Sequence, residues 1–185
     1  MSVAQSTGTQ MLLSGPWQVD PVHTVVEFRV RHMMIATVKG RFRDFDGAIV
    51  PNEVPSVAGT IRVGSLETLD AGRDEHLRSP DFFDVERYPE ITFQSKEIQL
   101  NGDDRAFLIP GELTIKGVTR PIALDGEFRG SVVQPDGAER VAFALRGELE
   151  RTDFGLVWNQ ALETGGMFVG NTVELALDVS AVRVL

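Results

Sequence analysis

At 185 residues, 42% apolar and 24% charged, the chain has the size and composition of one globular domain rather than of a disordered segment. It has no cysteine, which excludes disulfides, thiolate nucleophiles and zinc–cysteine sites. The formal charge of −9 argues against nucleic acid as a partner, because that binding draws its energy from Lys and Arg neutralising phosphates.

Met1 to Pro16 is rich in Ser, Thr and Gln. Its apolar run is only Met11, Leu12 and Leu13, and the first basic side chain is Arg29. Residues 1–14 are therefore expected to be a flexible tail and 15–185 the folded domain. With neither the charged start nor the long apolar stretch of a secretory signal, the expected location is the cytoplasm. No run approaches ~20 apolar residues, so no integral membrane segment is expected.

From there the sequence alternates with a period of two. Val26, Phe28 and Val30 share one face against Glu27, Arg29 and Arg31, and Val38, Gly40 and Phe42 oppose Lys39, Arg41 and Arg43. Val57, Gly59, Ile61 and Val63 follow, then Ile91 with Phe93. Phe107, Ile109, Gly111, Leu113 and Ile115 form the next apolar face, and Ile122, Leu124, Gly126 and Phe128 the one after it. Val141, Phe143, Leu145, Gly147 and Leu149, then Val173, Leu175, Leu177 and Val179, complete eight half-buried strands. That is the signature of an antiparallel sandwich or barrel. Asp46-Gly47, Asn101-Gly102-Asp103, Lys116-Gly117 and Gln134-Pro135-Asp136-Gly137 read as turns. Alternation stops from Ser65 to Pro89. There Arg73 to Arg78 reads as a turn or two of helix, and Ser79-Pro80 as the cap of a second short turn through Asp84. Asp153 to Gly170 is a second irregular segment, and the first could cap one barrel end.

Six of the eleven phenylalanines fall on the inward register of six different strands, and five of the eight registers carry a glycine: Gly40, Gly59, Gly111, Gly126 and Gly147. Glycines bend strands so that barrels close, or they leave a channel; eight strands either fill their interior or hold one small ligand. The candidate lumen residues are Phe28, Val30, Phe42, Phe93, Phe107, Leu113, Phe128, Phe143, Leu145 and Leu175. His32 and Arg151 continue the inward parity at strand ends and are candidates for a polar headgroup at the mouth. Arg73, Asp74 and His76 in the helical turn, and Trp158 in the second irregular segment, join them. The rival reading of Arg151 is an ion pair with Asp153 or another carboxylate, and that of Arg73, Asp74 and His76 is a network tying the loop down. Arg29, Arg31, Lys39, Arg41 and Arg43 form a basic outer face that is either merely solvated or suited to peripheral contact with an anionic membrane.

Catalytic patterns are mostly missing. Gly-x-Ser-x-Gly does not occur, and His23, His32 and His76 have no metal-ligand spacing, so no metal or other cofactor is expected.

The segment Arg73-Asp74-Glu75-His76-Leu77-Arg78-Ser79-Pro80-Asp81-Phe82-Phe83-Asp84 resembles the hallmark of the YceI-like family of bacterial lipid-binding proteins. Trp17-Gln18-Val19-Asp20-Pro21-Val22-His23-Thr24 resembles the family's opening, with threonine where serine is usual. Val38-Lys39-Gly40-Arg41-Phe42, Tyr88-Pro89-Glu90-Ile91-Thr92-Phe93, Gly111 to Thr119 and Arg151-Thr152-Asp153-Phe154-Gly155 are similar to later blocks. The resemblance, running from about Trp17 onward, implies an all-β fold: an eight-stranded antiparallel lipocalin-like barrel capped by short helical insertions. It also implies noncatalytic binding, storage or transport of a long polyisoprenoid, with a polyprenyl or quinone-type head. An enzyme acting on a lipid-like substrate, or a binder of a fatty acid or amide, is the alternative. Many members act in the periplasm, which the missing signal sets against. Homodimer formation is left open.

Overall fold

The computed structural model describes residues 8–102 and 105–184. In chain order, helix α1 (Gly8–Leu13) precedes β1 (Trp17–Val19), β2 (Val25–His32), β3 (Ala36–Phe42), β4 (Phe45–Val50) and β5 (Ser56–Arg62). A 3-10 turn at Val63–Ser65, β6 (Leu66–Glu67) and helix α2 (Ala71–Arg78) follow. Then come β7 (Glu90–Ser95), β8 (Gln99–Leu100), β9 (Ala106–Ile115), β10 (Val118–Val133), β11 (Glu139–Glu150), a 3-10 turn at Arg151–Phe154, and β12 (Val169–Arg183).

Antiparallel pairing runs β1-β4-β5-β7-β9-β10-β11-β12, and β1 pairs with β12 to close the ring. The same edge of β12 that takes β1 at Ala181–Arg183 takes β2 at Val25–Val30, so β1 and β2 act as one long, interrupted strand. β3 with β4, and β5 with β6, are interrupted in the same way. The result is the eight-stranded antiparallel barrel that the family resemblance implies, one of the two architectures the alternation allows. Closure leaves no open sheet edge in the ring, and the breaks let long strands bend around it.

The first interruption is held by Asp20. Its Oδ1 accepts from Val22 N at 2.9 Å and its Oδ2 from Arg140 Nη1 at 2.6 Å, while buried Thr24 exchanges hydrogen bonds with the Ser180 backbone. The Arg140 guanidinium, then His23, hold the Asp20 carboxyl at a pKa of about 2. The turn after β9 is a two-residue hairpin at Lys116 and Gly117, both with positive φ (50° and 75°), which matches the strand twist.

Three sequence expectations change. Asp46-Gly47 is no turn: both residues lie within β4, because the chain bends earlier, at Arg43 and Asp44, where Arg43 N is taken by Ser65 and Arg62 N by Asp44 O. Ser79 does not open a second helix. It ends α2, and its hydroxyl donates to His76 O at 2.6 Å. Within the stretch read as a flexible tail, residues 1–7 lie outside the described residues. Gly8–Leu13 is helical and seats Leu12 (1% exposed) in the core, since a barrel end needs an apolar stopper and Leu12 supplies one. Asp103, placed in a turn, also lies outside the described residues.

Candidate functional site

The end of the barrel that holds α1 is packed solid. Leu12, Trp17, Phe107, Ile109, Val141, Phe143 and Ala181 form one buried cluster there. The inward glycines do not open it: a Cβ on Gly126 would fall 2.1 Å from the Phe107 ring, because Phe107 on the paired strand lies across the gap. Phe28 covers Gly40, Phe93 covers Gly111 and Leu124 covers Gly147 in the same way. Aromatic rings laid over a neighbouring glycine stabilise a curved sheet.

Gly59 is the exception. Its absent Cβ would meet only Asp46 O, at 3.5 Å, and it pairs with Gly47, so bare backbone walls a cavity of about 170 Å³. Phe28, Phe42, Phe93, Leu113, Phe143, Leu145 and Leu175, expected in the lumen, all line it. A second chamber of about 110 Å³ lies toward the other end and is walled by Val30, Leu77, Phe82, Phe83, Phe154 and Leu156. The two share Phe28, Phe42, Ile91, Ile115, Leu149 and Leu175, so they adjoin at a collar of wall residues that includes the contacting rings of Phe28 and Phe42, with centroids 5.6 Å apart. Of the expected lumen residues, Phe107 and Phe128 line neither chamber and belong to the packed floor, where the apolar register continues but no space is left.

The upper chamber was not legible as such, since its ceiling comes from the irregular segments. Its signal was the pair Phe82-Phe83 and the apolar Phe154 and Leu156 inside otherwise polar loops. Phe83 meets Phe42 edge-on at 6.2 Å, closing the insertion over the strands.

At the rim, aromatic groups form a continuous row. His32 meets Phe168 at 4.5 Å, Phe168 meets Trp158 at 6.3 Å, and Trp158 meets His76 at 4.7 Å and Phe82 at 5.4 Å. His76 Nε2 donates to Asp81 Oδ2 at 2.8 Å. The structure therefore brings His32, His76 and Trp158 together along the seam between the two capping segments.

The other three mouth candidates are used internally. Arg151, 4% exposed, donates from Nε to Gly170 O, from Nη1 to Leu156 O and Trp158 O, and from Nη2 to Val169 O and Asn171 Oδ1. A guanidinium has five N–H donors. All are taken, none by a carboxylate, which corrects both the headgroup and the ion-pair expectations for Arg151. A buried cation short of water is destabilised, so burial lowers the Arg151 pKa; the neighbouring Glu150 charge opposes this. Arg73 holds Thr68 through its hydroxyl and carbonyl, both at 2.8 Å, and buried Asp74 accepts from Thr68 N at 2.8 Å. This pair ties the loop down, as the network reading expected, and its polar atoms are turned to Thr68 rather than to a ligand.

Among the described residues no three His, Asp or Glu side chains cluster as a metal site, and no helix is long and apolar enough to cross a membrane.

Comparison with known proteins agrees with this architecture. The family model described as a YceI-like domain matches residues 17–181, so α1 lies outside the matched span. A UPF0312 protein of Staphylococcus epidermidis is 38% identical over 162 residues, covering 84% of this chain and 90% of that one; one from Staphylococcus aureus is 36% identical over 160. Among solved structures, the Campylobacter jejuni YceI protein superposes with a TM-score of 0.71 at 31% identity, covering 84% of this chain and 90% of that one. BcnA of Burkholderia cenocepacia shares the fold at a TM-score of 0.75 and 22% identity, covering 88% and 98%. With this span and identity, the chain belongs to the YceI-like family.

Proposed function

We propose that the protein binds a polyisoprenoid lipid without transforming it, the chain lying in the two-chambered lumen and the head at the rim near His32, His76 and Trp158. The observation that carries the proposal is the pair of apolar chambers in the barrel, which adjoin at the Phe28–Phe42 collar and stop at the Phe107 floor. Apolar burial at roughly 25 cal/mol per Å² is the driving term for such a ligand. A protein of the same fold from Saccharophagus degradans, 14% identical with a TM-score of 0.66 and covering 91% of this chain and 98% of that one, is described as a polyisoprenoid binding domain; this supports the choice of ligand class. Commitment of Arg73, Asp74 and Arg151 to internal hydrogen bonds supports a noncatalytic role, because it leaves His76 with Asp81 as the ionisable pair on the aromatic seam.

The test has two parts. Lipid extracted from gently purified protein is expected to contain an isoprenoid by mass spectrometry, and added polyprenol to displace a bound apolar dye better than fatty amides do. Gly59→Trp fills the open wall, so dye binding is expected to fall at least about tenfold with the fold intact. An empty barrel that ignores polyprenols sinks the proposal. Turnover of a lipid that is lost in His76→Ala would favour an enzyme instead.

A further inference from the structure

The turn between β2 and β3 places apolar side chains in water at the end of the barrel opposite the α1 floor. Met33, Met34 and Ile35 are 40%, 59% and 83% exposed, and Met167 across from them is 45% exposed. These residues form one patch: Met33 N donates to Phe168 O at 2.8 Å, and Met34 packs so close to Gly166 that a Cβ there would sit 3.1 Å from its Cγ. Met33 and Met34 also hold left-handed backbone, with φ of 50° and 64°, a conformation that turns usually give to Gly, Asn or Asp. Bulky apolar residues thus occupy positions that water and backbone sterics both disfavour. Burial of the tip in hydrocarbon removes the first of those penalties.

The surrounding charges favour one kind of hydrocarbon. On the basic face of β2 and β3, Arg29 pairs with Glu27, and Arg41 and Arg43 pair with Glu67. Arg31, beside the tip, and Lys39, opposite Arg29 farther along the same hairpin, are exposed and have no carboxylate partner among the described residues. Behind the tip, Trp158, in the row with His32 and Phe168, supplies an amphipathic ring of the kind that settles at a headgroup layer.

We propose that this rim, made of the β2–β3 turn and the adjoining segment around Met167, docks on an anionic lipid bilayer and opens the lumen against it. The inference rests on the lipid-binding reading for its purpose, but it has its own readout. Because the whole chain carries −9, apolar insertion drives the contact, and Arg31 and Lys39 set the preference for anionic headgroups.

The test is flotation of the full chain with vesicles of phosphatidylcholine, alone or mixed with phosphatidylglycerol. Wild type is expected to float with the mixed vesicles and several-fold less with phosphatidylcholine alone. Ile35→Asp is expected to lower flotation about tenfold while thermal unfolding and dye binding in the lumen stay unchanged. Arg31→Gln combined with Lys39→Gln is expected to erase the preference for phosphatidylglycerol. Wild type that floats with neither vesicle overturns the proposal, as does an Ile35→Asp variant that floats as well as wild type. Gly59→Trp, with its lumen filled, is expected to float normally, so a failed lumen and a failed docking surface give different results.

Discussion

Along β11, Val141 sits in solid core, whereas Leu149, on the same face of the same strand, walls an open chamber. The floor and the upper barrel are built from the same alternation of apolar and polar residues. They differ in what leans over the inward glycines. At the floor Phe107 covers Gly126, and Leu12 enters from α1; higher up, Gly47 and Gly59 lie side by side and nothing covers Gly59. An inward glycine therefore makes space only where no neighbouring side chain reaches across. The caps differ as well: apolar packing closes the floor, while polar networks around Arg151 and Thr68 hold the insertions over the lumen.

Phe107→Ala should test this contrast most strongly. Loss of a ring that is 2% exposed is expected to cost about 3–5 kcal/mol in urea unfolding and leave dye binding in the lumen unchanged. Half-buried Phe28, at the collar, should behave oppositely, with Phe28→Ala costing less stability and altering dye affinity. If Phe107→Ala weakens dye binding and Phe28→Ala does not, the boundary between floor and lumen has been drawn in the wrong place.

Arg151→Met removes the five hydrogen bonds that the guanidinium donates to four carbonyls and Asn171, with an expected loss of about 3 kcal/mol. Faster hydrogen exchange should be confined to the 156–171 segment. Exchange spreading to the floor strands would show that the two ends are not independently held.

The joint between the halves gives the smallest effect. Asp20 titrates at about 2 in the fold, below the ordinary carboxylate range, so its contribution is present above pH 4 and is lost as pH falls through 2. Asp20→Asn is expected to lower stability by roughly 2 kcal/mol at pH 7, with the difference shrinking steeply as pH falls from 4 through 2. A constant difference across that range would assign the effect to packing instead.

The sequence by itself determined eight of the strands, their inward faces and, through the blocks from Trp17 to Gly155, the family; period-two alternation over eight segments admits few other architectures. It also identified the His76 loop. Which inward residues line space and which fill it was decided only by tertiary structure, because that depends on cross-strand neighbours: Phe107 and Phe93 share one register pattern, yet one packs the floor and the other walls the cavity. The fate of Arg151 was equally hidden. Its partners at Leu156, Trp158, Val169, Gly170 and Asn171 converge only when the irregular segment folds back beside β12, and convergence of backbone carbonyls leaves no mark in the order of residues.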